Sequence, residues 1–308
     1  MARVLLLDTH ALFFRAFFAL PPMTTKAGQP TSALYGLAVM VLKLLREERP
    51  RGLAFALDAG RPTFRHAQSP TYKGNRPPLP DPLRQQLDAL PRFLEALAVP
   101  CFVAPGFEAD DVLATLTREL ASSRMPTDAG VRIVTSDHDL FQVARDGVDI
   151  LFVGARGAKP TLYDRDALVA RYGLTPPQLP SLTALVGDPS DNLPKIPGVG
   201  ARTAQRLVHR FGDMRGLLDG IEQVTPPALR ATLAAASAQL LETESLARLR
   251  DDVPLPPGPR AAPVAAEAWP RLRALFTEWE FGSLLARVDR LSEAAAPPAG
   301  HGQLRLDV

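Results

Sequence analysis

The chain has 308 residues, with 35 lysines and arginines against 33 aspartates and glutamates, one cysteine and a hydrophobic fraction of 46%. That length suits one large or two medium domains with an ample core, and a single cysteine excludes a disulfide framework or a Cys/His zinc site. No apolar run of about 18 residues appears and the N-terminus enters a strand at once, so a soluble, cytoplasmic, monomeric protein with no membrane contact is expected.

The first element is the apolar run Arg3-Val4-Leu5-Leu6-Leu7, ended by Asp8 and followed by a helical pattern over 10–20. Another helix fits 32–48, then a second strand-like run, Leu53-Ala54-Phe55-Ala56-Leu57, ended by Asp58. A helix over 82–98 leads to Val99-Pro100-Cys101-Phe102-Val103, which reads as a buried strand containing the lone cysteine. Phe107-Glu108-Ala109-Asp110-Asp111 then crowds three carboxylates into the start of an amphipathic helix over 110–122. One acid would suit the positive end of the helix dipole, but three repel one another unless cations sit between them. Val131-Arg132-Ile133-Val134-Thr135 is a third strand, followed by Asp137 and Asp139 at the start of a short helix over 137–144. A strand over 148–153 and a helix over 164–172 complete the alternation.

Near-continuous apolar strands interleaved with helices predict an α/β fold around a parallel sheet buried on both faces. Ligands of such sheets bind beyond the carboxyl ends of the strands, where these acids fall. Any one of them could be a helix cap; together they predict a convergent acidic pocket, and all-oxygen ligation points to Mg²⁺ or Mn²⁺. With nine candidate acids set aside (Asp8, Asp58, Glu108, Asp110, Asp111, Asp137, Asp139, Asp188, Asp191), the remainder carries 35 basic against 24 acidic residues. An acidic pocket on a basic body suits an enzyme that holds cations and binds a polyanion.

Between residues 58 and 82 the pattern breaks into polar, Gly/Pro-rich sequence. Arg61, Arg65, Lys73 and Arg76 are interleaved there with Phe64 and Tyr72. Beside an acidic pocket this mixture suits single-stranded nucleic acid, through phosphate pairing and base stacking; an ordinary solvated loop is the bland alternative. Lysine is scarce, five against 30 arginines, which singles out Lys73 as a place where a compact ammonium is needed. After about residue 175 helices dominate. Asp188-Pro189-Ser190-Asp191-Asn192 supplies two more acids in a turn, and Ile196-Pro197-Gly198-Val199-Gly200-Ala201-Arg202-Thr203-Ala204 follows. Two glycines permit close backbone approach, and the helix that opens there offers free N–H groups to an anion. This reads as a helix–hairpin–helix that grips a phosphate without reading sequence. Arg202, Arg206 and Arg210 form a stripe facing either phosphate or solvent. A Pro-rich crossover over 254–263 precedes two helices, over 269–279 and 281–291, and an Ala/Pro/Gly-rich tail from 292 reads as disordered.

These motifs, in this order, resemble the 5′ nuclease superfamily, most of all the 5′→3′ exonuclease domain of bacterial DNA polymerase I and its stand-alone relatives. The resemblance covers about residues 3–290 and rests on Tyr72-Lys73-Gly74-Asn75-Arg76, Glu108-Ala109-Asp110-Asp111, Thr135-Ser136-Asp137-His138-Asp139, Gly187-Asp188-Pro189-Ser190-Asp191-Asn192, the Gly198–Thr203 hairpin and Glu280-Phe281-Gly282-Ser283-Leu284-Leu285. It implies a mostly parallel, PIN-like or Rossmann-like sheet with a helical arch and a C-terminal helix–hairpin–helix region. The implied organisation is a nuclease core over 1–175 with an arch segment at about 60–98, a helical DNA-binding region over 176–291 with the hairpin at about 194–211, and the tail 292–308. It further implies two-metal hydrolysis of 5′ ends and flaps in replication and repair. Asp8, Asp58, Glu108, Asp110 and Asp111 would hold one Mg²⁺, and Asp137, Asp139, Asp188 and Asp191 the other, with Mn²⁺ able to substitute.

By the same resemblance Lys73 and Arg76 would neutralise the scissile phosphate, and Tyr72 would be a stacking surface. Arg15, Arg65, Lys195, Gly198, Gly200, Arg202 and Thr203 would contact branched or 5′-ended duplex DNA, with K⁺ at the hairpin. Thr9, Phe14, His138 and Lys195 depart from the usual pattern without removing a metal ligand. No polymerase segment is read after the nuclease, so the nuclease alone is expected, and Gln303-Leu304-Arg305-Leu306-Asp307-Val308 resembles peptides that bind the bacterial sliding clamp. Two other readings compete. A PIN-like ribonuclease would lack the hairpin and the 72–76 segment; a DNA-junction scaffold would keep the fold with vestigial acids.

Overall fold

The computed structural model describes residues 3–122, 130–154 and 157–295. Strands β1 (Val4–Asp8), β2 (Gly52–Leu57), β3 (Cys101–Val103), β4 (Val131–Thr135), β5 (Val148–Phe152) and β6 (Thr161–Tyr163) form one sheet in the order β3-β2-β1-β4-β5-β6. All neighbours pair parallel except β5 and β6, which are antiparallel. From β1 the chain builds outward through β2 to β3, then returns to place β4 on the other side of β1. The direction of winding therefore reverses between β1 and β4, and the crevice at such a reversal is where open α/β sheets bind ligands.

Helices α1 (Thr9–Ala19), α2 (Ser32–Glu48), α3 (Phe64–Gln68), α4 (Asp81–Leu97), α5 (Ala109–Ser122) and α6 (Arg165–Tyr172) accompany the sheet. The period-2 alternation of strand side chains divides the core in two. Leu5, Leu7, Leu53 and Phe55 pack with residues of α1, α2 and α4 on one face. Leu6, Ala54, Ile133 and Ile150 pack with Val112, Leu113 and Leu116 of α5 on the other.

The later chain forms α7 (Leu179–Val186), α8 (Ala201–Phe211), α9 (Met214–Asp219), α10 (Pro227–Ala235) and α11 (Ser237–Ala247), with a core of their own around Leu185, Ile196, Val208, Leu217 and Leu240. Helices α12 (Ala268–Glu278) and α13 (Gly282–Ala295) return to the first core, where Leu272 and Phe276 join Leu90 and Phe93 of α4.

Several expectations change here. The helical region assigned to 176–291 divides, because the apolar faces of α12 and α13 are covered by α4 and α2 and not by α7–α11. The 60–98 arch segment divides too: α4 buries Leu83, Leu90, Phe93 and Leu97 in the core, which leaves 60–80 to cross the site. Cys101 lies in a strand but is exposed, since β3 is a short edge strand. The helix expected over 137–144 is a 3-10 turn, Asp139–Val143, and β6 was not foreseen because it is three residues of polar-flanked edge. Helix α13 continues to Ala295, past the expected start of the tail; residues 303–308 lie outside the described residues. No helix among the described residues is long and apolar enough to cross a membrane.

Candidate metal centre and nucleic-acid interface

Asp8 is both the last residue of β1 and the N-cap of α1, where its carboxylate accepts from the Ala11 N–H at 3.3 Å. The Thr135 hydroxyl, at the end of β4, donates to its other oxygen at 2.6 Å. Thr135 also accepts from the Asp137 N–H at 2.9 Å, so one side chain fixes acids from adjacent strand ends. Asp58, just beyond β2, accepts from the Ala109 N–H at 2.8 Å and so caps α5, the helix that carries Asp110. His10 Nδ1 accepts from the Asp58 N–H at 2.9 Å, which keeps that nitrogen unprotonated. Asp8, Asp58, Asp110 and Asp137 thus line a cleft of about 540 Å³, and Lys73 and Arg76 line it from the crossing segment.

A second acid group lies beside the first. Carboxylate oxygens of Asp139, Asp188 and Asp191 come within 4.8 Å of one another. Asp188 is anchored by the Ser190 N–H and hydroxyl at 2.7 and 2.8 Å, and Asp191 receives the Tyr72 hydroxyl and the Arg76 guanidinium, both at 2.7 Å.

The electrostatics are those of anions held together. Burial pushes the Asp8 carboxyl up to about 7 against the Thr135 hydrogen bond, with Asp137 and Asp58 adding to the rise. Asp110 is raised by burial and then by Asp8 and Asp137; Asp139 is raised by burial and then by Asp137, Asp191 and Asp188. Both groups offer carboxylate oxygens, and those of Asp139, Asp188 and Asp191 lie close enough together to share one ion, so the donors fit hard divalent cations, which would relieve this repulsion.

Lys73 has a left-handed backbone, with φ of 52°, which costs a non-glycine residue about 1–2 kcal/mol. That turn lets its N–H reach the Asp191 carbonyl at 3.0 Å while its ammonium reaches both Glu108 oxygens at 3.0 Å. Burial acts to lower the Lys73 pKa, but Glu108 and Asp191 outweigh it, so the ammonium stays protonated.

Three expected site residues are placed otherwise. Asp111 is fully buried, and Arg65 grips it with two bonds of 2.7 and 2.8 Å while the Glu108 and Arg250 N–H groups take remaining lone pairs. Its carboxylate is saturated, so it is a structural anion and not a metal ligand. Arg65, with 1% of its surface exposed, is correspondingly not a DNA contact. Tyr72 is buried, its hydroxyl shared between Glu108 and Asp191, and its ring offers no stacking face. Glu108 itself is engaged by Arg65, Tyr72 and Lys73 and acts first as their anchor. Sequence reading missed His10, Thr135 and Phe18. Phe18 lines the cleft and is 70% exposed, and the Phe13-Phe14 and Phe17-Phe18 pairs gave a signal of more aromatics than one helix face needs.

Arg15 lines the same cleft and donates to the Gly154 carbonyl. Lys195, Gly198 and Gly200, on the segment leading into α8, and Arg202 and Thr203, in its first turn, do not line that cleft. Gly198 has φ of 75°, Gly200 is the N-cap with no side-chain cap bond, and a Cβ at either would meet nothing within 4 Å. The first turn of α8 therefore presents open backbone to solvent, with Lys195 and Arg202 exposed around it.

Acids at the reversal of a parallel sheet, cations facing them, and a helical hairpin region define the class as a 5′ nuclease fold. The chain belongs to the 5′-3′ exonuclease family: residues 3–173 match its N-terminal resolvase-like domain and residues 174–268 its C-terminal SAM fold. It is 39% identical over 307 residues to DNA polymerase I of Mycobacterium tuberculosis, covering 97% of this chain and 33% of that protein. The chain thus spans about a third of the length of the curated relatives it matches. Among solved structures, T5 5′-exonuclease with bound divalent metal ions (zinc) superposes with a TM-score of 0.66 at 18% identity, over 95% of this chain and 97% of that one. The catalytic core of Rad2 in complex with DNA substrate superposes with a TM-score of 0.62 at 18% identity, over 95% and 92%.

Proposed function

We propose that this chain is a structure-specific 5′→3′ exonuclease and flap endonuclease that hydrolyses phosphodiesters near the 5′ ends of duplex and branched DNA, including RNA-primed ends. The observation that carries the reading is one cleft in which strand-end carboxylates face Lys73 and Arg76. Asp8, Asp58, Asp110 and Asp137 would hold one Mg²⁺, and Asp139, Asp188 and Asp191 another, with Mn²⁺ as a substitute. When bound, the ions would activate water and stabilise charge on the leaving oxygen. Lys73 and Arg76 act on the phosphate itself, as fixed positive charge where negative charge grows in the transition state. Thr135 holds Asp8 and Asp137 in place, and exposed Phe18 offers a ring for a base at the cleft mouth. The open amides at Gly198–Gly200 would take a backbone phosphate of the duplex, with K⁺ as a further candidate there.

Purified protein and a 5′-labelled flap duplex test the reading, with Mg²⁺, Mn²⁺ or EDTA and with Asp137→Ala. Products near the junction that disappear with EDTA and in the variant are expected. Tight flap binding with no cleavage in either metal would leave the junction-scaffold reading in its place. Clamp binding through residues 303–308 is a separate proposal, which fails if their removal leaves the affinity for the clamp unchanged in a calorimetric titration.

A further inference from the structure

From the last residues of α11 toward the Pro-rich crossover, residues 246–253 run across the α/β core as a strap, and core side chains hold its backbone almost residue by residue. Arg65 donates to the Leu246 carbonyl at 2.8 Å and the Arg248 carbonyl at 3.2 Å. Gln142 donates to the Ala247 carbonyl and accepts from the Leu249 N–H, both at 3.0 Å. Asp111 accepts from the Arg250 N–H at 2.8 Å, and Thr115 from the Val253 N–H at 3.1 Å. Leu246, Ala247 and Val253 are buried.

The fastening points are not scattered. Asp111 and Thr115 belong to α5, which carries Asp110, and Gln142 belongs to the 3-10 turn that begins at Asp139. One strap is therefore pinned to the elements that carry acids of both groups. Its other end is α11, which packs against α7 in the helical core that also holds α8 and the hairpin. An apolar seam would hold the two regions together but would allow sliding. Six directional bonds, two of them from a buried guanidinium already fixed by Asp111, set a register.

We infer that the strap, through Arg65, Gln142 and Thr115, fixes the distance between the duplex-gripping hairpin and the acidic cleft and thereby selects which phosphodiester is cut. These are positioning residues: none of them lines the cleft. The inference rests on the nuclease reading above. Successive phosphates of a strand are about 3.4 Å apart along a duplex, so a slip of that size moves the cut by about one nucleotide.

The test compares cut positions at single-nucleotide resolution on a labelled flap for the full chain and for Gln142→Leu, Thr115→Val and Arg65→Lys, each checked for cooperative melting. Arg92→Ala, which breaks the exposed pair between Arg92 of α4 and Glu278 of α12, away from the strap, is the control. The strap variants are expected to spread cleavage over neighbouring phosphates while the control keeps the parent site. Unchanged cut positions in folded variants, with only the rate or stability reduced, would overturn the inference. Thr115→Val, which removes one strap bond and one bond within α5 but no charge, serves where Arg65→Lys fails to fold. A second arm needs no cleavage and so separates this inference from the nuclease reading. Spin labels at Arg206→Cys in α8 and Glu95→Cys in α4, with Cys101→Ser, give an inter-region distance distribution. It should widen in the strap variants, and an unaltered width would count against the inference even in a protein that cuts nothing.

Discussion

Asp110 and Asp111 are adjacent in sequence and opposite in energetics. Asp111 is compensated by Arg65 and two backbone N–H groups, so removing it leaves a buried guanidinium whose remaining carboxylate contact is the longer, 3.3 Å one to Glu108. Asp111→Ala should cost about 3–5 kcal/mol in metal-free denaturation. Asp110 is raised by burial and by Asp8 and Asp137, so Asp110→Asn relieves repulsion. It should raise metal-free stability, on the order of 1 kcal/mol, while weakening Mn²⁺ binding in a calorimetric titration. Equal losses of stability in the two variants would contradict the assignment of roles. Lys73→Ala should lower the single-turnover rate by about 10²–10³ with little change in flap affinity, as loss of a transition-state charge does. A pure affinity loss would place Lys73 in ground-state binding instead.

At the level of elements, the strand-end acids were legible because β1, β2 and β4 are short, mostly apolar runs, and a carboxylate within two residues of the end of such a run lies at the strand's end. The roles of Arg65 and Tyr72 were not. In a polar, Gly/Pro-rich segment both read as surface, and their burial comes from partners distant in sequence, Asp111, Asp191 and Leu246. The clustered strand ends predict a pH dependence whose sign follows from Asp8. Its carboxyl loses a proton near 3.8 when unfolded and holds it to about 7 when folded. The stability this provides is complete below the lower value and is lost as pH rises through the upper one. His10, lowered by burial, acts in the opposite sense, so the comparison must be with Asp8→Asn. In EDTA the melting temperature of the parent should fall relative to that variant between the two values, from about pH 4 to about pH 7, and Mn²⁺ should raise it most at the upper end of that window. A parent that gains on the variant as pH rises would refute the repulsion argument.

For the whole molecule, the return of α12 and α13 makes the α/β core depend on residues far from the sheet in sequence. Leu83, Leu90 and Phe93 of α4 share one buried cluster with Trp269, Leu272 and Phe276, and the Phe93 and Phe276 rings stack at 6.1 Å. The crossover that brings α12 back adds its own pairing to the sheet, with Leu53 and Ala262 exchanging N–H to carbonyl bonds of 2.8 and 3.2 Å. A fragment ending at residue 175 would keep every strand and still expose the apolar face of α4, a patch of the kind that drives aggregation. Such a fragment should therefore bind a hydrophobic dye and melt without cooperativity, whereas residues 1–295 should give a cooperative transition. Phe276→Ala in the full chain should destabilise the sheet region by about 3–5 kcal/mol, because no neighbour can refill a cavity of that size. Amide hydrogen exchange in β1 and β2 reads this directly. Protection there that is unchanged by Phe276→Ala would show that the first 175 residues are a self-sufficient unit, with α12 and α13 merely resting on it.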